Sequence, residues 1–363
     1  MKIVHCSDLH LEGSYNAVDK EKAKILKDEG LENFSYIVNF AKENGVEAVI
    51  ICGDLFDKTN VRKSSIKYIF QQMQEAENIT FYYIHGNHDA KVNLDFPDKP
   101  ENFLIIGDQF MRFDLDENIS IGGVSLSKQN VENFYNDINF DKDRFNIFML
   151  HAETSNGSHD PTEFSNVEIK WLKGKNINYL ALGHIHKKLE GQLDERGVFC
   201  NGGNAGNYGF GEETERGFVL LDIVDGKAKV TRQIIPTKRK FVTLSVDISK
   251  FANEKVLENT IQKVLESQDK NDFIRIKLIG YFEDDFDKRV DYLQRVFKND
   301  FFYFEIVDES KMQIDLERIR EEKLSLKNEY LNLVFSDEEL SDEQKQKVAY
   351  AGIQALRGEE INL

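Results

Sequence analysis

Five short apolar runs in this chain stop abruptly at histidine, aspartate or asparagine. KIVHCS (2–7) runs into Asp8 and His10, EAVIIC (47–52) into Gly53 and Asp54, and TFYYIH (80–85) into Asn87, His88 and Asp89. FNIFML (145–150) ends at His151, and INYLAL (177–182) at His184 and His186. Apolar runs of this length bounded by turn residues read as buried strands. Helical periodicity over 20–44 and 61–77 separates the first three, and a β-α-β-α-β order calls for a sheet covered by helices. Open sheets of this kind gather ligands beyond the carboxyl ends of their strands. One histidine there is ordinarily structural. Five of the chain's eight histidines, joined by aspartates and an asparagine at the same topological position, are not explained that way.

From Phe103 to Ile235 strand-like runs dominate, among them ISIGGVSL, GVFCN and GFVLLDI, as expected of a second sheet packed on the first. After Pro236 the pattern restarts as a compact β-α-β-α-β unit: FVTLSVDI, a helical stretch 250–268, FIRIKLIGY, a helical stretch 285–298 and FFYFEIV. The expected division is therefore 1–240, a smaller α/β domain at 241–310, and a helical segment at 311–363. In that segment Met312, Leu316, Ile319, Leu326, Tyr330 and Leu333 fall on 4-3 helical spacing. Ser341 and Gln344 form a capping-box pattern opening a last helix, which Gly358 would close.

No apolar run approaches the ~18 residues of a membrane helix, and the amino terminus reaches Asp8 too soon for a signal peptide. Cys6, Cys52 and Cys200 share no C-x-x-C spacing, which suits reduced thiols in a cytoplasmic protein. A net charge of −17 argues against coating nucleic acid through the bulk field. It leaves room for a local basic groove or for positive charge supplied by bound metal.

The donor types narrow the chemistry. Imidazole, carboxylate and amide oxygen without thiolate suit first-row ions such as Mn²⁺, Fe²⁺ or Zn²⁺. Seven candidate donors, Asp8, His10, Asp54, Asn87, His151, His184 and His186, are too many for one tetrahedral ion but natural for two ions sharing a bridge. Two-metal hydrolytic sites hold their ions ~3.5–4 Å apart, and strand residues two apart are separated by roughly 6.5 Å. His184 and His186 can thus serve adjacent ions.

The blocks D-x-H, G-D-x-x-D, G-N-H-D, a later histidine and G-H-x-H, in this order over residues 8–186, resemble the calcineurin-like metallophosphoesterase superfamily. SDLH, GDLFD and the Gly-rich FCNGGNAGNYGFGEETERGFVLL (199–221) are similar to SbcD-type DNA repair exonuclease subunits. The resemblance implies a four-layer α/β/β/α sandwich with a smaller C-terminal α/β cap domain and a helical tail. It implies two divalent ions, Mn²⁺ by preference: one on Asp8, His10, Asp54 and His186, the other completed by Asn87, His151 and His184, with Asp54 as bridge. His88 would be the catalytic histidine, stabilising developing charge or protonating the leaving 3′ oxygen. Asp89 would either orient His88 or cap the following turn.

The reaction implied is metal-dependent hydrolysis of DNA, as exonuclease or endonuclease. The protein would act as a homodimer with an SbcC-like coiled-coil ATPase, which the 311–363 segment would contact unless it packs on its own cap domain. The alternative is a stand-alone metallophosphoesterase for small phosphodiesters or nucleotides. Lys58, Arg62, Lys63, Lys187 and Lys188 are candidate contacts to a DNA backbone, and Lys238, Arg239 and Lys240 mark the domain junction. Some of these nucleases carry histidine where this chain has Asp57, a carboxylate that would reach a metal-bound water, support a ligand from behind or, the favoured reading, cap the following helix. His5, His85 and His159 match no motif position and read as structural.

Overall fold

Strand β2 (Ala48–Cys52) is buried along its whole length, as a parallel strand is when both neighbours and both faces are covered. The computed structural model describes the chain except residues 59–60, 156–165, 207–208, 211–214, 252, 284–285, 314–324 and 359–363. It divides into two units, Met1–Lys238 and Arg239–Leu363. His159, Leu316 and Ile319 lie outside the described residues.

In the first unit β1 (Lys2–Cys6), β2, β3 (Thr80–Ile84) and β4 (Phe103–Ile106) pair in parallel in that order. The antiparallel strands β13 (Gly217–Val224) and β14 (Lys227–Ile234) extend the sheet beyond β1. A second six-stranded sheet runs β5 (Met111–Asp114), β6 (Ile119–Gly123), β7 (Phe145–His151), β10 (Tyr179–Gly183), β12 (Val198–Asn201), β11 (Glu190–Gln192). Its central four strands are parallel and its two edges antiparallel. A short parallel pair, β8 (Glu153–Ser155) and β9 (Asn166–Glu168), stands apart.

The two sheets face each other across a shared core that includes Ile3, Ile50, Tyr82, Ile121, Ile147, Met149, Tyr179 and Ala181. On the outer side of the first sheet lie α1 (Lys20–Glu43) and α2 (Lys63–Gln74). Asp19 starts α1 by accepting from the Lys22 N–H at 2.9 Å, satisfying one of the donors that a helix start leaves unpaired. From there Phe34, Ile37, Val38 and Ala41 fall on one face and join Val4, Val49, Ile51 and Phe81 of the sheet. Each of the larger buried side chains contributes about 1.5–3 kcal/mol. The α/β sandwich expected from sequence is the fold. Its fourth layer is thin: over the second sheet, Phe134, Ile138, Phe140 and Leu172 pack from loops and two 3-10 turns.

The second unit carries a parallel sheet of β15 (Phe241–Asp247), β16 (Phe273–Ile279) and β18 (Tyr303–Asp308), with α3 (Glu254–Leu265) and α4 (Val290–Phe297) as its crossovers. Leu257, Ile261, Leu293 and Phe297 of the helices pack on Ile274, Ile276, Leu278 and Phe304. Strands β17 (Tyr281–Glu283) and β19 (Lys311–Gln313) form a short parallel pair. Helices α5 (Leu326–Ser336) and α6 (Asp342–Arg357) follow. The Ser341/Gln344 capping box is formed, and Gly358 ends α6 at φ 72°.

The apolar stripe read over 312–333 is corrected. Met312 lies in β19, and Leu326 and Leu333 are 69% and 72% exposed. Leu331 and Val334 are the buried residues of α5, against Ala349 and Ile353 of α6. Two phases of apolar residue share α5, and the packing of α6 selects one. Among the described residues no helix is long and apolar enough to cross a membrane.

His5 ties the two sheets together: Nδ1 lies 2.9 Å from the Tyr179 hydroxyl and Nε2 3.1 Å from the Leu182 carbonyl oxygen. Burial holds its pKa down at about 3. The folded state therefore keeps His5 neutral, whereas the unfolded chain takes up a proton below about 6.5. The stability this contributes is present above that pH and is lost as pH falls towards 3. From pH 7 to pH 5 it should cost the wild type about 2 kcal/mol that a His5→Gln variant does not lose. Urea unfolding at the two pH values measures the difference; equal slopes for the two proteins would remove the effect.

Candidate metal centre

The site is made by two loops leaving β1 and β2 and laced together along their backbones. The N–H groups of Asp8, His10 and Leu11 donate to the carbonyls of Gly53, Asp54 and Leu55 at 3.2, 2.9 and 2.9 Å, and the Asp57 N–H donates to Leu11 at 3.0 Å. To turn so sharply the chain holds Asp8, His10, Asp54 and His184 at φ 54°, 43°, 49° and 87°. Non-glycine residues are uncommon in the left-handed region, and such conformations collect at functional sites.

Across the sandwich the second sheet comes unusually near. A Cβ on Gly183 would sit 1.9 Å from the Cys52 carbonyl oxygen, so only glycine lets β10 approach the end of β2 there. His151, ending β7, places Nδ1 2.9 Å from that same carbonyl oxygen. All seven residues named as donors from sequence are brought to this edge.

Donor atoms of Asp8, His10 and His186 lie within 4.8 Å of one another, as do those of Asp54, His151 and His184. Asp54 Oδ2 stands between the groups, 3.6 Å from His10 Nε2 and 3.2 Å from His151 Nε2. Asn87 Oδ1 lies 3.0 Å from His151 Nε2. His184 and His186 fall into different groups.

A third cluster, His10, Asp57 and His88, was not foreseen as a unit. Asp57 does not cap α2, whose N-cap is Arg62. Its Oδ1 lies 3.2 Å from His10 Nδ1 and 3.4 Å from His88 Nδ1, while Oδ2 accepts from the Ser14 N–H at 3.2 Å. The signal was present in the second aspartate of G-D-x-x-D. Asp89 is placed differently from a partner for His88. It is fully buried and accepts from the Tyr83 hydroxyl at 2.6 Å, the Gly86 N–H at 2.8 Å and the Phe56 N–H at 3.2 Å. Its carboxylate shapes the loop that presents Asn87 and His88. His85 stays in the scaffold, with Nδ1 3.1 Å from the Tyr83 hydroxyl. Of the basic residues, Lys63, Lys187 and Lys188 are exposed and Lys58 is half-buried. Arg62 is exposed as well, at 44%, with its guanidinium on the buried Glu12.

The model of the calcineurin-like phosphoesterase family matches residues 1–188. The chain belongs to this family. Membership makes it a metal-dependent phosphoester hydrolase that uses divalent ions. Among curated proteins it is similar to the DNA double-strand break repair protein Mre11 of Sulfolobus acidocaldarius, 25% identical over 305 residues, which covers 77% of this chain and 75% of that protein. It is also similar to the uncharacterized metallophosphoesterase YhaO of Bacillus subtilis, 26% identical over 242 residues, 62% of this chain and 58% of that one. A dimetal phosphatase from Danio rerio aligns with a TM-score of 0.46 at 8% identity, covering 64% of this chain and 96% of that one.

The residues fit the ions the phosphoesterase family uses. Asp8 and Asp54 are buried to 0% and 1% exposure among imidazoles, and an oxygen and nitrogen donor set without thiolate suits a divalent ion. Burial raises the pKa of Asp8. For Asp54 burial pushes upward too, but His151, His10 and the His88 N–H outweigh it and hold the carboxylate well below its usual range. Burial and the neighbouring His151 lower His184 to about 4, whereas for His151 burial is outweighed, chiefly by Asp54, and the pKa rises to about 9. The hydrogen bond to Asp57 chiefly raises His88 to about 9.

Gly86 marks how little room Asp54 has, since a Cβ there would lie 2.1 Å from Asp54 Oδ1. A Gly86→Ala variant should keep its far-ultraviolet circular dichroism and bind Mn²⁺ at least about tenfold more weakly. Calorimetric titration with Mn²⁺ is the measurement; wild-type affinity in the variant would contradict this geometry.

Proposed function

We propose that the protein is a two-metal phosphodiesterase that hydrolyses DNA, the nuclease subunit of a repair complex with a coiled-coil ATPase. The observation that carries this reading is the extent of the similarity to Mre11. A stretch covering 77% of the chain is longer than the first unit, which ends at Lys238, so it reaches into the second. A bare phosphoesterase domain does not require that.

In this reading Asp8, His10 and His186 would hold one ion and Asn87, His151 and His184 the other, with the Asp54 carboxylate available to both. Two divalent ions so held supply Lewis acidity to the phosphoryl group and lower the pKa of water beside it. Mn²⁺ suits the mixed nitrogen and oxygen set. His88 then works from the open side of the site. Asp57 anchors its ring through Nδ1, which leaves Nε2 to give a proton to the leaving oxygen. The exposed Lys63, Lys187 and Lys188 would hold the backbone of DNA, and those contacts make binding salt-sensitive. Residues 241–310 would be the capping domain and 311–363 the surface for the ATPase, in a cytoplasmic homodimer.

The runner-up, a stand-alone esterase for small phosphodiesters, is favoured by two observations. The chain is strongly acidic, at −17, and its identity to the uncharacterized metallophosphoesterase YhaO, 26%, is level with the 25% to Mre11, though over a shorter stretch.

Linear duplex DNA incubated with Mn²⁺ beside an aryl phosphodiester separates the two. Degradation of the DNA is the expected result. Turnover of the aryl ester with DNA left intact, with or without ATP and a co-purified ATPase, would hand the function to the runner-up. A His88→Asn variant should lose about 10²–10⁴-fold in cleavage rate while still binding two Mn²⁺ ions by calorimetry. Undiminished cleavage by the metal-loaded variant would take the proton-donor role from His88.

A further inference from the structure

Glu12 sits two residues past His10 and breaks several local rules at once. It is a carboxylate only 3% exposed, on a backbone at φ 67°, a conformation that residues other than glycine seldom adopt. It is held there by converging donors. Its Oε1 accepts from Arg62 Nε at 2.8 Å, from a second Arg62 nitrogen at 2.5 Å and from Ser65 Oγ at 2.6 Å. Lys27 Nζ lies 3.5 Å from Oε2. Charge-assisted bonds of this kind are among the strongest a protein makes.

Their placement matters more than their number. Arg62 and Ser65 belong to the start of α2, Lys27 to α1, and Glu12 to the loop carrying Asp8 and His10. The same loop meets Asp57 through His10 Nδ1 and the Ser14 N–H. The carboxylate thus joins the loop that ends β1 to the head of the helix that follows Asp54 and Asp57.

We propose that Glu12 and Arg62 are positioning residues, a latch that fixes His10 against Asp54 and Asp57. This rests on the reading of His10 as a metal donor. It gives the exposed Arg62 a role at Glu12 that needs no contact to the DNA backbone.

The test is calorimetric titration of the full chain with Mn²⁺ alone, for wild type and for Glu12→Gln, Arg62→Met and Arg62→Lys. The first two variants should weaken one of two binding events by about tenfold or more and leave the other within about twofold. Arg62→Lys, which keeps the charge facing Glu12, should recover most of the loss. With an aryl phosphodiester at saturating Mn²⁺, kcat should fall in the first two variants with KM unchanged, a loss no DNA contact can explain. Should Glu12→Gln fold poorly, Glu12→Gly removes the latch at a φ that glycine accepts, and the same selective weakening is expected.

Both binding events staying within about twofold of wild type in Glu12→Gln or Glu12→Gly and in Arg62→Met would overturn the latch. So would equal weakening of both events, or a wild-type chain that binds no Mn²⁺. A wild type that binds two ions but cleaves no phosphodiester would refute the function while the metal titration still decides the latch.

Discussion

The near contact of two sheets at one end of the sandwich is the constraint on which the site depends. β10 approaches the end of β2 so closely that a side chain at Gly183 would collide with the Cys52 carbonyl. Hydrogen bonds keep the sheets there: His151 to that same carbonyl, and His5 to Tyr179 and Leu182. Donors from β1, β2 and β3 can then meet donors from β7 and β10 within a few ångströms. Neither sheet holds a complete set. A slip of one residue in either would turn alternate side chains to the opposite face and empty half the site.

The loops that carry the donors add a second constraint, in the backbone. Four candidate donors have positive φ, which costs the fold of order 1–3 kcal/mol each. The loops are held in place by pairings with one another rather than by their own propensities. The β1 loop is bonded to the β2 loop at three successive carbonyls, Asp89 braces the β3 loop through three donors, and Glu12 fastens the β1 loop to α2. The core supplies the stability that this strain consumes, and the strained loops point the donors outward.

Particular residues show how far the chain could be read without its fold. The order of strands, both long helices of the first unit and the capped last helix follow from periodicity and end signals, because these are local. The donors were legible for the same reason, since each sits where an apolar run stops. Asp57 and Asp89 were harder. Both are aspartates that close a motif block, and for each a capping role stood open beside a role at the site. What separates them is distance: Asp57 meets His10 and His88, whereas Asp89 turns under the loop to Tyr83, Gly86 and Phe56. Helix α5 was misphased because its apolar residues occupy two faces, and only the packing of α6 chooses between them.

The sequence by itself determined which residues could ligate, which elements carry them and that thiolates take no part, because side-chain chemistry and strand length are written residue by residue. The two donor groups, with His184 and His186 apart, were already implied by the resemblance; the tertiary structure alone decided the distances within them and which aspartate faces His88. Those are distances of 3 to 4 Å between strands far apart in the chain. They depend on the register and separation of two sheets, which no local pattern encodes.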